Sequence, residues 1–146
     1  MNANRLGSLL VFLQFSLLAV LLWLVVWQRP PLLSWLLWVA SAATGLWAVS
    51  VNRLGNFNIH PQPRAGGHLV VQGPYRWIRH PMYTSVMLLG LGCAVAVPGL
   101  IAWVLWIALV GVLTVKASLE ESWMMQLHPS YLAYCQHTKR FVPYLI

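Results

Sequence analysis

Four apolar stretches, residues 6–27, 32–51, 82–97 and 99–117, occupy more than half of this 146-residue chain. Their apolarity is continuous, not alternating, which suits helices and excludes barrel strands. In hydrocarbon only helices and closed barrels satisfy the backbone, so the stretches read as membrane-spanning helices. The first two reach the roughly 20 residues needed to cross about 30 Å of hydrocarbon. The last two are shorter and must cross with little tilt or extend into their flanks. Sixty per cent hydrophobic residues, 8% charged residues and a mean hydropathy of +0.70 agree with this reading. The expected fold is an all-α integral membrane domain over residues 1–146. Its four transmembrane helices form two hairpins, and the connection (52–81) and C-terminal segment (118–146) form the polar part.

Residues 6–27 follow Arg5 but exceed the h-region of a signal peptide, and no A-x-A site follows. Pro30-Pro31 and Pro98-Gly99 break the chain between helices, because proline cannot continue a helix and glycine permits a sharp turn. Arg53, Arg64, Arg76 and Arg79 lie in the connection, Lys116, Lys139 and Arg140 in or near the tail, and Arg5 at the start; Arg29 alone lies opposite. The positive-inside rule then places both termini and the connection in the cytoplasm. The net charge of +7 is mainly this topology signal, with attraction to anionic lipid as a second effect. The spread of the basic residues argues against nucleic-acid binding.

Cys93 falls inside a span and Cys135 in a reducing compartment, so no disulfide is expected. Cys93 reads as a small packing residue. No cysteine or histidine spacing suits a metal. Trp27 and Trp35 sit where tryptophan anchors a helix at the lipid–water interface.

The chain has two carboxylates, adjacent in "SLEESW": Glu120 and Glu121. On a continuing helix Lys116, Glu120 and Trp123 share one face. One reading is a Lys–Glu pair with Lys116 snorkelling to the headgroups. The other is a site in which Lys116 meets an anionic group and Glu120 a cationic ligand, since ionisable groups at a span tend to be functional. Glu121, about 100° around the helix, is expected to matter much less than Glu120 for binding such a ligand. In "RWIRHPMYTS", Pro81 suits the first turn of the third helix, and His80 should be extended just outside it. The N–H groups of that helix start can hold an anion. Arg76 and Arg79 add charge there, and Tyr75, Trp77 and Tyr83 add flat surfaces. An interfacial belt of aromatic and basic residues is the plainer alternative.

"GPYRWIRHPMYTS", followed after a two-helix hairpin by "EESWM" and "RFVP", resembles the isoprenylcysteine carboxyl methyltransferase family and the related phospholipid N-methyltransferases. The likeness covers residues 55–143. It implies S-adenosylmethionine as cofactor, a ligand with an adenine ring, a carboxylate, an ammonium and a sulfonium. Residue by residue it implies cofactor contacts at Gln62, His68, Leu69, Val70, Tyr75, His80, Pro81, Met82, Tyr83 and Glu120. It also implies a candidate catalytic residue at Lys116, where the family has an arginine associated with the acceptor. Lysine keeps the charge but loses the planar fork that grips a carboxylate. "LHPSY" departs from the family's Phe-Gly-x-x-Tyr, and His137 and Lys139 stand where Arg-Val-Pro is common.

The implied reaction is methyl transfer to a lipophilic acceptor at the membrane–cytoplasm interface, without a metal. The acceptor is a lipid amine, a prenyl-type carboxylate or a small hydrophobic thiol or amine. Lys116 would orient it or take a proton from it. Two other readings stay open. A proton-coupled exporter would need an acid in the middle of a span, whereas both acids follow the last one. A non-catalytic subunit would keep the scaffold without binding the cofactor. Reporter fusions are expected to read non-cytoplasmic after Trp27 and Pro98, and cytoplasmic at Ala65 and Ile146. A cytoplasmic signal at Pro98 would overturn the four-span topology.

Overall fold

The computed structural model describes residues 3–56 and 69–145, with side chains from residue 5 onward and, in the second helix, as far as residue 52. The architecture is all-helical: α1 (Ala3–Val25), α2 (Leu32–Asn56), a 3-10 turn (Gly73–Arg76), α3 (Pro81–Ala96), α4 (Ile101–Leu127) and α5 (Tyr131–His137). One isolated parallel bridge joins Ile78 to Lys139. Among the described residues three helices, α1, α2 and α4, are long and apolar enough to cross a membrane, and α3 is a shorter apolar helix. Trp23, Val39, Leu46 and Val104 lie exposed on their outer sides. Such a surface on helices of this length suits contact with lipid. The chain is an integral membrane protein.

The helix at the centre is α3, which packs against α1, α2 and α4. Its sequence explains this position. Pro81, Gly90, Gly92, Cys93, Ala94 and Ala96 are all buried, so α3 is apolar around its whole circumference and has no polar face to give to solvent. The consecutive helices α1 and α2 pack mainly on α4 and α3 rather than on each other. The first pair is therefore a hairpin in chain order more than in packing.

Small residues let α2 approach α3 closely. Ser34, Ser41 and Ala48 recur on the α2 face that meets α3 and are buried. Ser41 Oγ donates to the Ser85 carbonyl at 2.8 Å, and Ser85 Oγ returns a bond to the Ser41 carbonyl at 2.9 Å. Polar side chains that bond across small-residue interfaces are a usual means of holding membrane helices together. Two indole N–H groups also reach α3 carbonyls: Trp38 donates to Leu89 at 3.2 Å and Trp106 to Met87 at 3.0 Å. A Cβ at Gly92 would collide with the Trp38 ring. Along α1, Leu10, Gln14 and Leu21 are buried at helical spacing, with Leu17 and Leu18 packed on the same core.

The α3–α4 turn contains Gly99 at φ +87°, a left-handed conformation that favours glycine. Helix α4 then runs unbroken through both glutamates to Leu127. Twenty-seven residues span about 40 Å, more than the roughly 30 Å of hydrocarbon, so the last two turns project beyond it. Trp27 and Trp35 are both exposed, as interfacial anchors are. Cys93 is a buried free thiol in the core cluster.

Replacing Gly92 with alanine is expected to destabilise the protein by about 1–3 kcal/mol through overpacking against Trp38. Gly111 has open space around its Cβ position. Its replacement by alanine should be neutral or stabilising by up to about 1 kcal/mol. Thermal unfolding of both variants in detergent checks the contrast.

Candidate functional site

The polar end of the fold is made by three chain segments that come together around one carboxylate. The connection enters along α2, where Tyr75 is buried and bonds to the Asn52 side chain. The chain then passes through Ile78 and Arg79 to His80, the residue before α3. Pro81 forbids His80 the helical conformation, and it adopts φ −125°, ψ 59°. His80 is thus non-helical but not extended: its backbone turns to meet the C-terminal segment. Arg79 N–H donates to the Lys139 carbonyl at 2.8 Å, His80 N–H to the Arg140 carbonyl at 3.1 Å, and Lys139 N–H to the Trp77 carbonyl at 3.0 Å. Thr84 Oγ1 donates to the Phe141 carbonyl at 2.7 Å, and Tyr134 Oη to the Tyr75 carbonyl at 2.6 Å.

Glu121 closes this arrangement. It is 4% exposed. Its Oε1 accepts from Arg79 Nε at 2.8 Å and lies 3.1 Å from His80 Nε2, and its Oε2 accepts from Arg140 at 2.5 Å. An ionised carboxylate only accepts, so His80 carries its hydrogen on Nε2. Arg79 also donates to the Thr138 and Cys135 carbonyls, which fixes the start of the tail. Burial pushes the Glu121 carboxyl up, but the hydrogen bonds from His80, Arg140 and Arg79 outweigh it. They hold the group well below the usual carboxylate range. Glu121 is the buried node joining α4, the connection and the tail, a structural role separate from the expectation about ligand binding.

Glu120 faces elsewhere, and its side chain is 36% exposed. Tyr83 Oη donates to its Oε2 at 3.0 Å, and His80 Nδ1 lies 3.6 Å from the same oxygen. The His80 and Tyr83 rings stack in parallel with centroids 5.3 Å apart. His80 thus stands between the two acids, with one ring nitrogen toward each. Glu120 is the more accessible of the two carboxylates, and beside its hydrogen bond from Tyr83 a carboxylate has further acceptor capacity.

Lys116 does not snorkel. It is 1% exposed, and its Nζ donates to Gln14 Oε1 at 2.6 Å. Helical side chains lean toward the helix N-terminus. On α4 that direction leads away from the projecting turns and into the apolar layer. The same Nζ lies 5.2 Å from the centre of the Tyr83 ring, within cation–π range.

Of the residues expected from the resemblance, His80, Tyr83, Glu120 and Lys116 come together between the α3 start and α4, while Tyr75 bonds to Asn52 and Tyr134. Leu69, Val70 and Met82 are part-exposed close by in sequence, while the Pro81 ring is fully buried. Gln62 and His68 lie outside the described residues. Gln14, the node role of Glu121 and the bonds from Thr84 and Tyr134 were not foreseen. A lone amide in the apolar run of α1 was a readable signal for Gln14. The others depend on contacts distant in sequence. Among the described residues no group of three or more His, Cys, Asp or Glu could hold a metal.

The depressed Glu121 carboxyl has a consequence for stability. Its contribution is complete above the unfolded value of about 4.3. It is lost as pH falls below that, at up to about 1.4 kcal/mol per pH unit, because the unfolded chain then binds the extra proton. Thermal unfolding followed from pH 6 to pH 3 should show a steeper loss in the wild type than in Glu121→Gln. That variant should also be less stable at neutral pH by roughly 3–5 kcal/mol, since it leaves buried cations uncompensated. The lower end is expected because the Arg140 side chain is 31% exposed. Equal slopes would contradict a depressed Glu121.

No match was found among curated proteins. The phospholipid methyltransferase family model matches residues 30–130. That span takes in α2, which the motif likeness over residues 55–143 largely left out, as well as the connection, α3, α4 and both glutamates. It leaves out α1 and the tail. With more than half of the chain matched, including the RHPMY and EE segments around which the polar end is built, the protein belongs to the phospholipid methyltransferase family.

Proposed function

We propose that this protein transfers a methyl group from S-adenosylmethionine to a lipophilic acceptor at the cytoplasmic edge of the membrane. The observation that carries the proposal is an accessible carboxylate, Glu120, bonded to the Tyr83 hydroxyl, and a buried cation, Lys116, over the Tyr83 ring. The cofactor's ammonium and sulfonium suit Glu120, and its ring suits the aromatic surroundings of Tyr75 and Tyr83. Bound S-adenosylmethionine would supply an activated methyl carbon: an acceptor lone pair forms the new bond while the carbon–sulfur bond breaks and its electrons stay on sulfur.

The protein's own work is alignment and exclusion of water. Glu121 holds Arg79 and His80, and through them sets the α3 start. Tyr83 orients Glu120 by its hydroxyl. Lys116, in the apolar layer, would hold the polar head of an acceptor arriving from lipid. That acceptor is a lipid amine bearing a phosphate, a prenyl-type carboxylate or a small hydrophobic thiol or amine. In this reading α3 is the fourth span, and the termini, connection and cofactor site face the cytoplasm. The family's description favours a lipid acceptor.

Calorimetry and transfer measured on two variants test the proposal. Glu120→Gln should weaken S-adenosylmethionine binding by about 1.5–3 kcal/mol, the worth of a hydrogen bond to a charged group. Lys116→Met should leave that affinity within about twofold and abolish transfer, because the cation that orients the acceptor is lost while Glu120 remains for the cofactor. Unchanged binding in Glu120→Gln would remove Glu120 from the cofactor site. Lost binding in Lys116→Met would remove Lys116 from the acceptor site.

A further inference from the structure

Gln14 lies outside the family match, on a helix whose only other evident task is to cross the membrane. It is the middle residue of α1, buried, with its amide oxygen on the Lys116 ammonium at 2.6 Å. Burying a primary amide at this depth is costly unless it has a partner. Leucine would fill the α1–α4 contact at no such cost, as Leu10 and Leu21 do at neighbouring positions of the same face.

Lys116 precedes Glu120 by four residues, the spacing at which a lysine and a glutamate on a helix pair. Glu120 is the charge that Lys116 feels from across one turn. The ammonium nevertheless donates to Gln14 on α1. Tyr83 contacts both groups: its hydroxyl serves Glu120 at 3.0 Å and its ring centre lies 5.2 Å from Nζ.

We infer that Gln14 is a positioning residue that draws the Lys116 ammonium away from Glu120, keeping the cation for the acceptor and the carboxylate for the cofactor. The inference rests on the methyltransferase reading, since it assigns work to both halves of that site. Glu120, one turn away on the same helix, is a charged partner that the ammonium can pair with when the Gln14 oxygen is removed. A Lys116–Glu120 pair would then compete with the cationic groups of the cofactor. Helix α1 is thus part of the active site, although it carries no recognisable motif.

The test is a double-mutant cycle read by titration of S-adenosylmethionine into the full-length protein in detergent. Gln14→Met, close in volume and shape, should weaken binding about three- to tenfold, the range between an exposed and a partly buried competing pair. In a Lys116→Met background the same change should have no effect, because no ammonium remains to be released. A merely structural role for Gln14 would lower affinity equally in both backgrounds, and that result would overturn the inference. Gln14→Glu guards against poor folding of Gln14→Met: it holds the ammonium more strongly and should bind S-adenosylmethionine at least as well as the wild type. Weaker binding by folded Gln14→Glu would also overturn the inference. A wild type that binds no S-adenosylmethionine would instead refute the methyltransferase reading itself.

Discussion

A single buried carboxylate, Glu121, holds together the parts of this molecule that hydrophobicity alone cannot place. The apolar helices assemble through packing and a few interhelical hydrogen bonds, and nothing in that process fixes the loops at their ends. Glu121 does so by receiving Arg79 and His80 from the connection and Arg140 from the tail. Breaking such a buried cluster by removing one member is costly, because the remaining charges have lost their water and keep no replacement. The parallel bridge between Ile78 and Lys139 and the bond from Thr84 to Phe141 belong to the same closure. The C-terminal segment is therefore a wall of the polar end and not an appendage.

Charge is graded along the axis of the bundle. At the projecting end Arg79 and Arg140 neutralise Glu121, and His80 adds a hydrogen bond. One layer inward Glu120 is only partly covered, with Tyr83 and His80 as neighbours. Deeper still, Lys116 and Gln14 share a hydrogen bond in the apolar layer. This order suits a reaction between a polar donor and a lipophilic acceptor, because each can approach from the phase that dissolves it. The central helix α3 supports the order from below: its start is fixed by Pro81, and indole N–H groups from α2 and α4 hold its carbonyls.

Much of the fold was legible because membrane helices declare themselves locally. The continuous apolar runs, the Pro30-Pro31 and Pro98-Gly99 breaks, and the helical continuation through Glu120 all follow from nearest-neighbour chemistry. The family was legible where a motif was compact, as in RHPMY and EE. What escaped was pairing. Nothing local says that Lys116 turns inward to Gln14, 102 residues away in sequence. Nor does the sequence say which of two adjacent glutamates is buried: their helical phase separates them, but only the packing of the tail decides which side is covered. The first two helices were similarly read as a pair from their short connection, whereas their packing faces select α4 and α3.

The most direct measurement is equilibrium titration of the purified, folded wild type with S-adenosylmethionine, repeated with the demethylated product S-adenosylhomocysteine as competitor. Saturable binding of one cofactor per chain, displaced by the product, is the expected result. A folded protein, verified by its thermal transition, that shows no saturable binding would contradict a cofactor site at Glu120 and the methyl-transfer function built on it.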